Sequence, residues 1–199
     1  MNHATRQHVI PSEMTGKLTG IQAFNTSPLD NDFCKAMQET DTVCGECYSC
    51  AMLCGSRKNC REGWARNGEL FQKPLAIVPI VDTKLCRFSG HGELHNREHA
   101  RNYLRIARKN PTVRFAFWTK RIDLVKGLRV PANVVMVYSN PEIDKVMTKP
   151  PAGFHKVFNV VTEASGAATN CSGKMCRECG LCYTRKGERV IVEHLKKRS

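Results

Sequence analysis

At 199 residues and 41% hydrophobic content, the chain is long enough for one domain with a genuine core, and composition argues against disorder. A formal charge of +13 makes it basic and compatible with nucleic-acid contact, although a solvated helix face also explains such charge. No apolar run is long enough to span a membrane (Leu75-Ala76-Ile77-Val78 meets Pro79), and the first five residues lack the features of a secretory signal. A reducing cytoplasm is the expected location.

Residues 1–14 are polar and unpatterned, which predicts a loose arm before a single domain over 15–199. Leu18 to Phe24 reads as a short strand, followed by a polar stretch and a cysteine-rich loop at about 44–60. Arg57 to Phe71 has helical character, with Cys60, Trp64 and Phe71 on one face and Asn67-Gly68 weakening its end. Leu85 to Ser89 predicts a strand ending at Gly90-His91-Gly92. Asn96 caps an expected helix to Lys109, with Tyr103, Leu104 and Ile106-Ala107 as its apolar stripe. Val113 to Thr119 is a strand by its β-branched and aromatic content, and a short helical piece follows around Ile122 to Leu128. Asn133 to Ser139 is the next strand. Asn140-Pro141 then opens an expected helix to Met147, which Pro150-Pro151 ends. Phe154 to Val161 and Arg189 to His194 are further extended segments, separated by a second cysteine-rich loop at 171–182.

Strands alternating with short helices predict an α/β fold: a partial (β/α) barrel or an open, mainly parallel sheet, with two cysteine-rich metal-binding loops. In such folds functional groups gather at the carboxyl ends of the strands. Those ends supply His91, Glu93, Lys120 and Ser139 as candidate catalytic or ligand-binding residues. His95 and His99 lead into an Arg-rich helix and read as surface histidines, while Lys120 and Arg121 offer charge for an anionic ligand.

The chemistry of the chain lies in its 11 cysteines. Cys44, Cys47, Cys50 and Cys54 form a C-x2-C-x2-C-x3-C run, and Cys171, Cys176, Cys179 and Cys182 form a C-x4-C-x2-C-x2-C run. Each contains a triplet at i, i+3, i+6. An odd cysteine total in a reducing compartment fits a disulfide framework poorly. Closely spaced thiolates are instead ligands for a four-iron, four-sulfur (4Fe-4S) cluster, or for zinc in a split site pairing Cys44/Cys47 with Cys176/Cys179. The first run has ferredoxin spacing, with Gly55 where a proline usually follows. Two four-thiolate sites would lower the net charge to about +9. Cys34, Cys60 and Cys86 fall outside the runs and read as small buried hydrophobes.

Several segments together resemble the phage-associated gene product 88 family. They are Gly16-Lys17-Leu18, Cys47-Tyr48, Arg87-Phe88-Ser89-Gly90, Phe117-Trp118-Thr119-Lys120, Val137-Tyr138-Ser139 and the string from Cys171 to Cys182. That resemblance implies a phage or mobile-element protein working in the host cytoplasm. The layout is also similar to that of radical SAM proteins, in which a cluster loop follows the first strand of a partial barrel. By that likeness Cys44, Cys47 and Cys50 would hold a four-iron cluster that binds S-adenosylmethionine, although C-x2-C-x2-C stands where the usual motif is C-x3-C-x2-C. The second run would then resemble an auxiliary-cluster region. The expected function is therefore an iron–sulfur enzyme acting on an unknown substrate. The alternative is a zinc-stabilised module that contacts nucleic acid through its basic surface.

Overall fold

The computed structural model describes residues 8–171 and 173–195. Seven strands form one sheet in sequence order: β1 (Ser12–Glu13), β2 (Gln22–Phe24), β3 (Leu85–Phe88), β4 (Arg114–Thr119), β5 (Val134–Ile143), β6 (Lys156–Val161) and β7 (Val190–His194). β2 to β7 are parallel throughout, and only the short edge strand β1 runs antiparallel, against β2. The sheet is open and mainly parallel, as expected. Its helices are α1 (Asp32–Gln38), α2 (Tyr48–Cys54), α3 (Arg61–Phe71), α4 (Arg97–Lys109), α5 (Ile122–Val125) and α6 (Cys176–Cys179).

The central strands bury both faces, as parallel strands do when both sides of the sheet are covered. Alternation along the pleat divides them cleanly. Phe115 and Phe117 of β4 and Val134 and Met136 of β5 join a core with Phe71, Tyr103 and Ile106 from α3 and α4. Ala116, Trp118, Val135 and Val137 face the other way and join Phe158, Tyr183 and Ile191, with Leu18, Cys176 and Cys182 packed against them. The second cysteine run therefore covers the sheet face opposite α4. Stacked rings dominate the first core, with Phe88 lying 4.7 Å from Phe115 and 4.4 Å from Tyr103.

α4 begins as expected, with the Asn96 side chain accepting from His99 N at 2.9 Å. Several other expectations need correction. Residues 8–14 are tied into the fold rather than loose: Val9 is buried and β1 pairs with β2, while residues 1–7 lie outside the described residues. The basic Lys196-Lys197-Arg198 and Ser172 of the second run also lie outside them. Leu18 belongs to a 3-10 turn (Gly16–Leu18), so β2 is shorter than expected.

The cysteine runs are not plain loops, since α2 and α6 wind through them. α3 continues through Asn67-Gly68 to Phe71. The buried Asn67 amide there bonds Ile10 N, Ile10 O and Asn25 O, and Gly68 leaves room for the His95 ring. The helix expected from Pro141 is absent. β5 carries on to Ile143 through a register shift after Ser139, which places Pro141 where no ladder donor is needed. No helix among the described residues is long and apolar enough to cross a membrane.

Candidate functional site

The carboxyl ends of the parallel strands open into one cavity of about 250 Å3. Its wall includes His91, Glu93, Lys120 and Ser139, together with thiols from both cysteine runs. The four polar residues named from strand-end position alone are thus brought to one place.

The β3 exit builds the back of this wall. Ser89 takes φ 54° and Gly92 φ 74°, so the chain coils sharply before α4. A Cβ on Gly92 would lie 2.4 Å from Thr26 O, and one on Gly90 would lie 2.5 Å from Asn25 Oδ1. Glycine is required at both because the loop presses against the residues after β2. Backbone bonds fix that contact: His91 N donates to Asn25 Oδ1 at 2.9 Å, and Thr26 N donates to His91 O at 3.1 Å.

His91 is buried, stacked on Trp64 at 4.5 Å and near Tyr48 at 5.4 Å, with Nδ1 2.8 Å from Ser49 Oγ. Glu93 is also buried. Its Oε1 accepts from Thr119 Oγ1 at 2.6 Å and from Leu94 N at 2.8 Å, and Oε2 accepts from Lys120 N at 2.7 Å. This carboxylate is held by three donors and clamps the β3 and β4 exits together, which is positioning work. Lys120 reaches Ser139 Oγ at 3.2 Å and lies close enough to Cys44 for their charges to interact. Burial acts to lower the Lys120 pKa, but the negative charge available at Cys44, Glu93, Cys34 and Cys47 outweighs it, so the ammonium is favoured.

Arg121 does not share this role, since its guanidinium is occupied by Asp123. His95 and His99 are elsewhere too. His99 is fully buried against Phe71, with ring centroids 4.6 Å apart, which corrects the expectation of surface histidines.

The first cysteine group forms on segments between β2 and α3. Cys34, on α1, lines the cavity with Cys44 and Cys47 and lies close enough for their charges to interact. Its neighbourhood corrects the reading of Cys34 as a bystander. No local spacing could have shown this, because α1 folds back onto the run from ten residues away. Burial pushes the Cys34 and Cys44 thiols up. The Cys47 thiol is lowered, chiefly because it accepts a hydrogen bond from Cys50, and backbone N–H groups of Cys50 and Ser49 assist. Cys54, at the end of α2, is exposed and off the cavity wall.

The second group sits across the cavity. Cys171 N is fixed to Val192 O at 3.0 Å, and Cys171, Cys176 and Cys182 line the wall, while Cys179 is exposed. Burial raises Cys176 and pushes Cys182 up to about 12, with Arg87 opposing both. Lys17 donates to Cys171 Sγ at 3.4 Å and pairs with Glu193. Each run gathers with its own neighbours, so the split pairing of Cys44/Cys47 with Cys176/Cys179 is not the arrangement seen. Cys60 is half-buried beside Asn59, and only Cys86 is a core cysteine. Among the described residues no three His, Cys, Asp or Glu side chains converge tightly enough to hold a single metal ion. What the donor set offers is soft thiol sulfur in two groups, which suits zinc and iron–sulfur clusters alike.

The family model described as gene product 88 matches residues 5–170, most of the chain. The chain belongs to the gene product 88 family. The family match spans the first cysteine group, the β3 exit and Lys120, and ends immediately before Cys171, so the second run lies beyond it. The string from Cys171 to Cys182, which carried much of the resemblance in sequence, is therefore not part of what the model matches. Neither the curated proteins nor the solved structures give a match.

Proposed function

We propose that this gene product 88 protein is an iron–sulfur enzyme in which the two cysteine groups hold four-iron clusters on opposite walls of one small-molecule cavity. The observation that supports it is convergence. Thiols from segments more than a hundred residues apart open on the same cavity at the carboxyl ends of parallel strands, beside fixed polar groups. Cys34, Cys44, Cys47 and Cys50 would hold the first cluster, and Cys171, Cys176, Cys179 and Cys182 the second. Bound clusters would supply single electrons to a molecule in the cavity.

The remaining roles follow from geometry. The Ser49–His91 pair holds a proton at the wall, with the imidazole fixed by Trp64 and Tyr48. Lys120 and Ser139 place positive charge and a hydroxyl at the cavity, and Glu93 holds Lys120 in place through its backbone. S-adenosylmethionine would require an iron without a protein ligand at the first cluster. Cys34 as a fourth thiol closes that set, so a cleavage assay on the wild-type protein decides whether the cofactor takes part.

The primary test is anaerobic purification with iron, sulfide and zinc measured per chain. Two four-iron clusters give about eight irons with matching sulfide. C44A/C47A and C176A/C182A should each remove about half. Colourless protein holding zinc, with DNA or RNA binding that weakens steeply with salt, would replace this reading with the basic binding module.

A further inference from the structure

Among the described residues three cationic side chains line the cavity, and two of them have anionic or polar partners. Lys17 pairs with Glu193 and Cys171, and Lys120 bonds Ser139. Arg87 differs. It projects from β3, is half-buried, and lies over the Trp118 ring with its guanidinium carbon 4.1 Å from the ring centroid. Among the described residues its guanidinium makes no hydrogen bond or carboxylate pair, and its Nε is buried without a partner. Trp118 Nε1 and Tyr183 Oη, on residues of the same wall that are each more than nine-tenths buried, are also donors without partners.

Buried donors left unpaired are costly, and native proteins pair them with protein, water or ligand. A guanidinium held over an aromatic ring keeps its N–H groups available for bidentate contact with a carboxylate or phosphate. Leu18, Phe158 and Val160 supply apolar surface to the same cavity, beside the thiols of Cys171, Cys176 and Cys182.

We propose that Arg87 is the anion-recognition residue of this cavity, which takes a small molecule with an apolar body and one carboxylate or phosphate group. The proposal rests on the cavity being a ligand site, as the reading above has it, and not on which metal the cysteines hold. The competing role for Arg87 is counter-charge to the thiolates of Cys176 and Cys182, whose pKa values it opposes.

The test is titration of the intact, anaerobically purified protein with benzoate, phenyl phosphate and neutral benzamide, followed by calorimetry and ligand-observed NMR. At least one anion should bind saturably and at least tenfold more tightly than benzamide. Which anion binds better identifies the group. R87M should lose at least tenfold in anion affinity with benzamide unaffected, and R87K should recover part of the loss. Equal binding of anions and benzamide by wild type, binding of none of them, or unchanged anion affinity in R87M each overturns the proposal. Iron and sulfide are measured on the same samples. An R87M protein that loses iron while wild type shows no preference for anions assigns Arg87 to counter-charge instead. The wild-type comparison stands even if R87M does not fold, and absence of iron with anion preference intact would remove the cluster reading alone.

Discussion

Glu93 is the residue through which the two readings of the polar cluster separate most sharply, and E93Q tests it with almost no change of shape. The carboxylate accepts from two backbone N–H groups and one hydroxyl on both of its oxygens. An amide has only one acceptor oxygen. If that oxygen keeps Thr119 and Leu94, the new NH2 faces Lys120 N, donor against donor. If the amide flips, the oxygen keeps Lys120 N and the NH2 faces Leu94 N, and only the Thr119 hydroxyl can turn to accept. Each orientation loses one charge-assisted bond and leaves a buried N–H without a partner, and Lys120 loses a neighbouring negative charge. The expected destabilisation is about 2–4 kcal/mol. For a chain of this size that corresponds to a fall in Tm of roughly 4–16 °C. Urea unfolding with the midpoint and slope fitted separately is the assay, and the midpoint should fall at unchanged slope. A loss of stability below about 0.5 kcal/mol would show that the three bonds carry little, and the assignment of Glu93 as a clamp would be abandoned.

Three further outcomes follow from the same geometry. C34A should lower iron and sulfide per chain to about the level of C44A/C47A, whereas C54A should leave them near wild type, because Cys34 faces the first group and Cys54 is exposed; the reverse result would return the fourth position to Cys54. G92A combines a left-handed backbone with a Cβ placed 2.4 Å from Thr26 O, and should cost more than about 2 kcal/mol in urea unfolding. His99 has a pKa held well below 6.5 by burial, with His95 adding to the effect. The unfolded chain therefore takes up a proton that the folded chain refuses. Stability should be full above pH 6.5 and fall below it, by at most about 1.4 kcal/mol per pH unit, and H99F should flatten that slope in urea midpoints measured from pH 7 to 5.

Local sequence determined most of the strands, because β-branched and aromatic runs between turn residues have few alternatives: β3, β4, β6 and β7 stand within two residues of expectation, as does the Asn96-capped α4. It also indicated where the polar residues go. A residue just past a parallel strand must lie at the carboxyl edge of the sheet, so His91, Glu93, Lys120 and Ser139 were legible from strand ends alone. The cysteine runs marked thiol-rich segments, and Cys44, Cys47, Cys171, Cys176 and Cys182 do line the cavity. What local pattern could not hold was the role of groups whose partners are distant in sequence. Cys34 reaches the first cysteine group because α1 folds back. His99 is core rather than surface because α3 places Phe71 over it, and the Asn67-Gly68 pair that reads as a helix breaker is needed to receive Ile10, Asn25 and His95. β5 runs past Pro141 because Asn140 is held by Lys145 O and Asn159 Oδ1, and Pro141 O by Val43 N, contacts no helix pattern can anticipate. Arg87, one charge among many in sequence, is set apart only by the Trp118 ring beneath it and the absence of a described partner beside it. Spacing along the chain specifies short-range geometry, while burial and pairing are properties of the packed whole; the fold alone therefore decided which of the charged and sulfur-bearing side chains face the cavity.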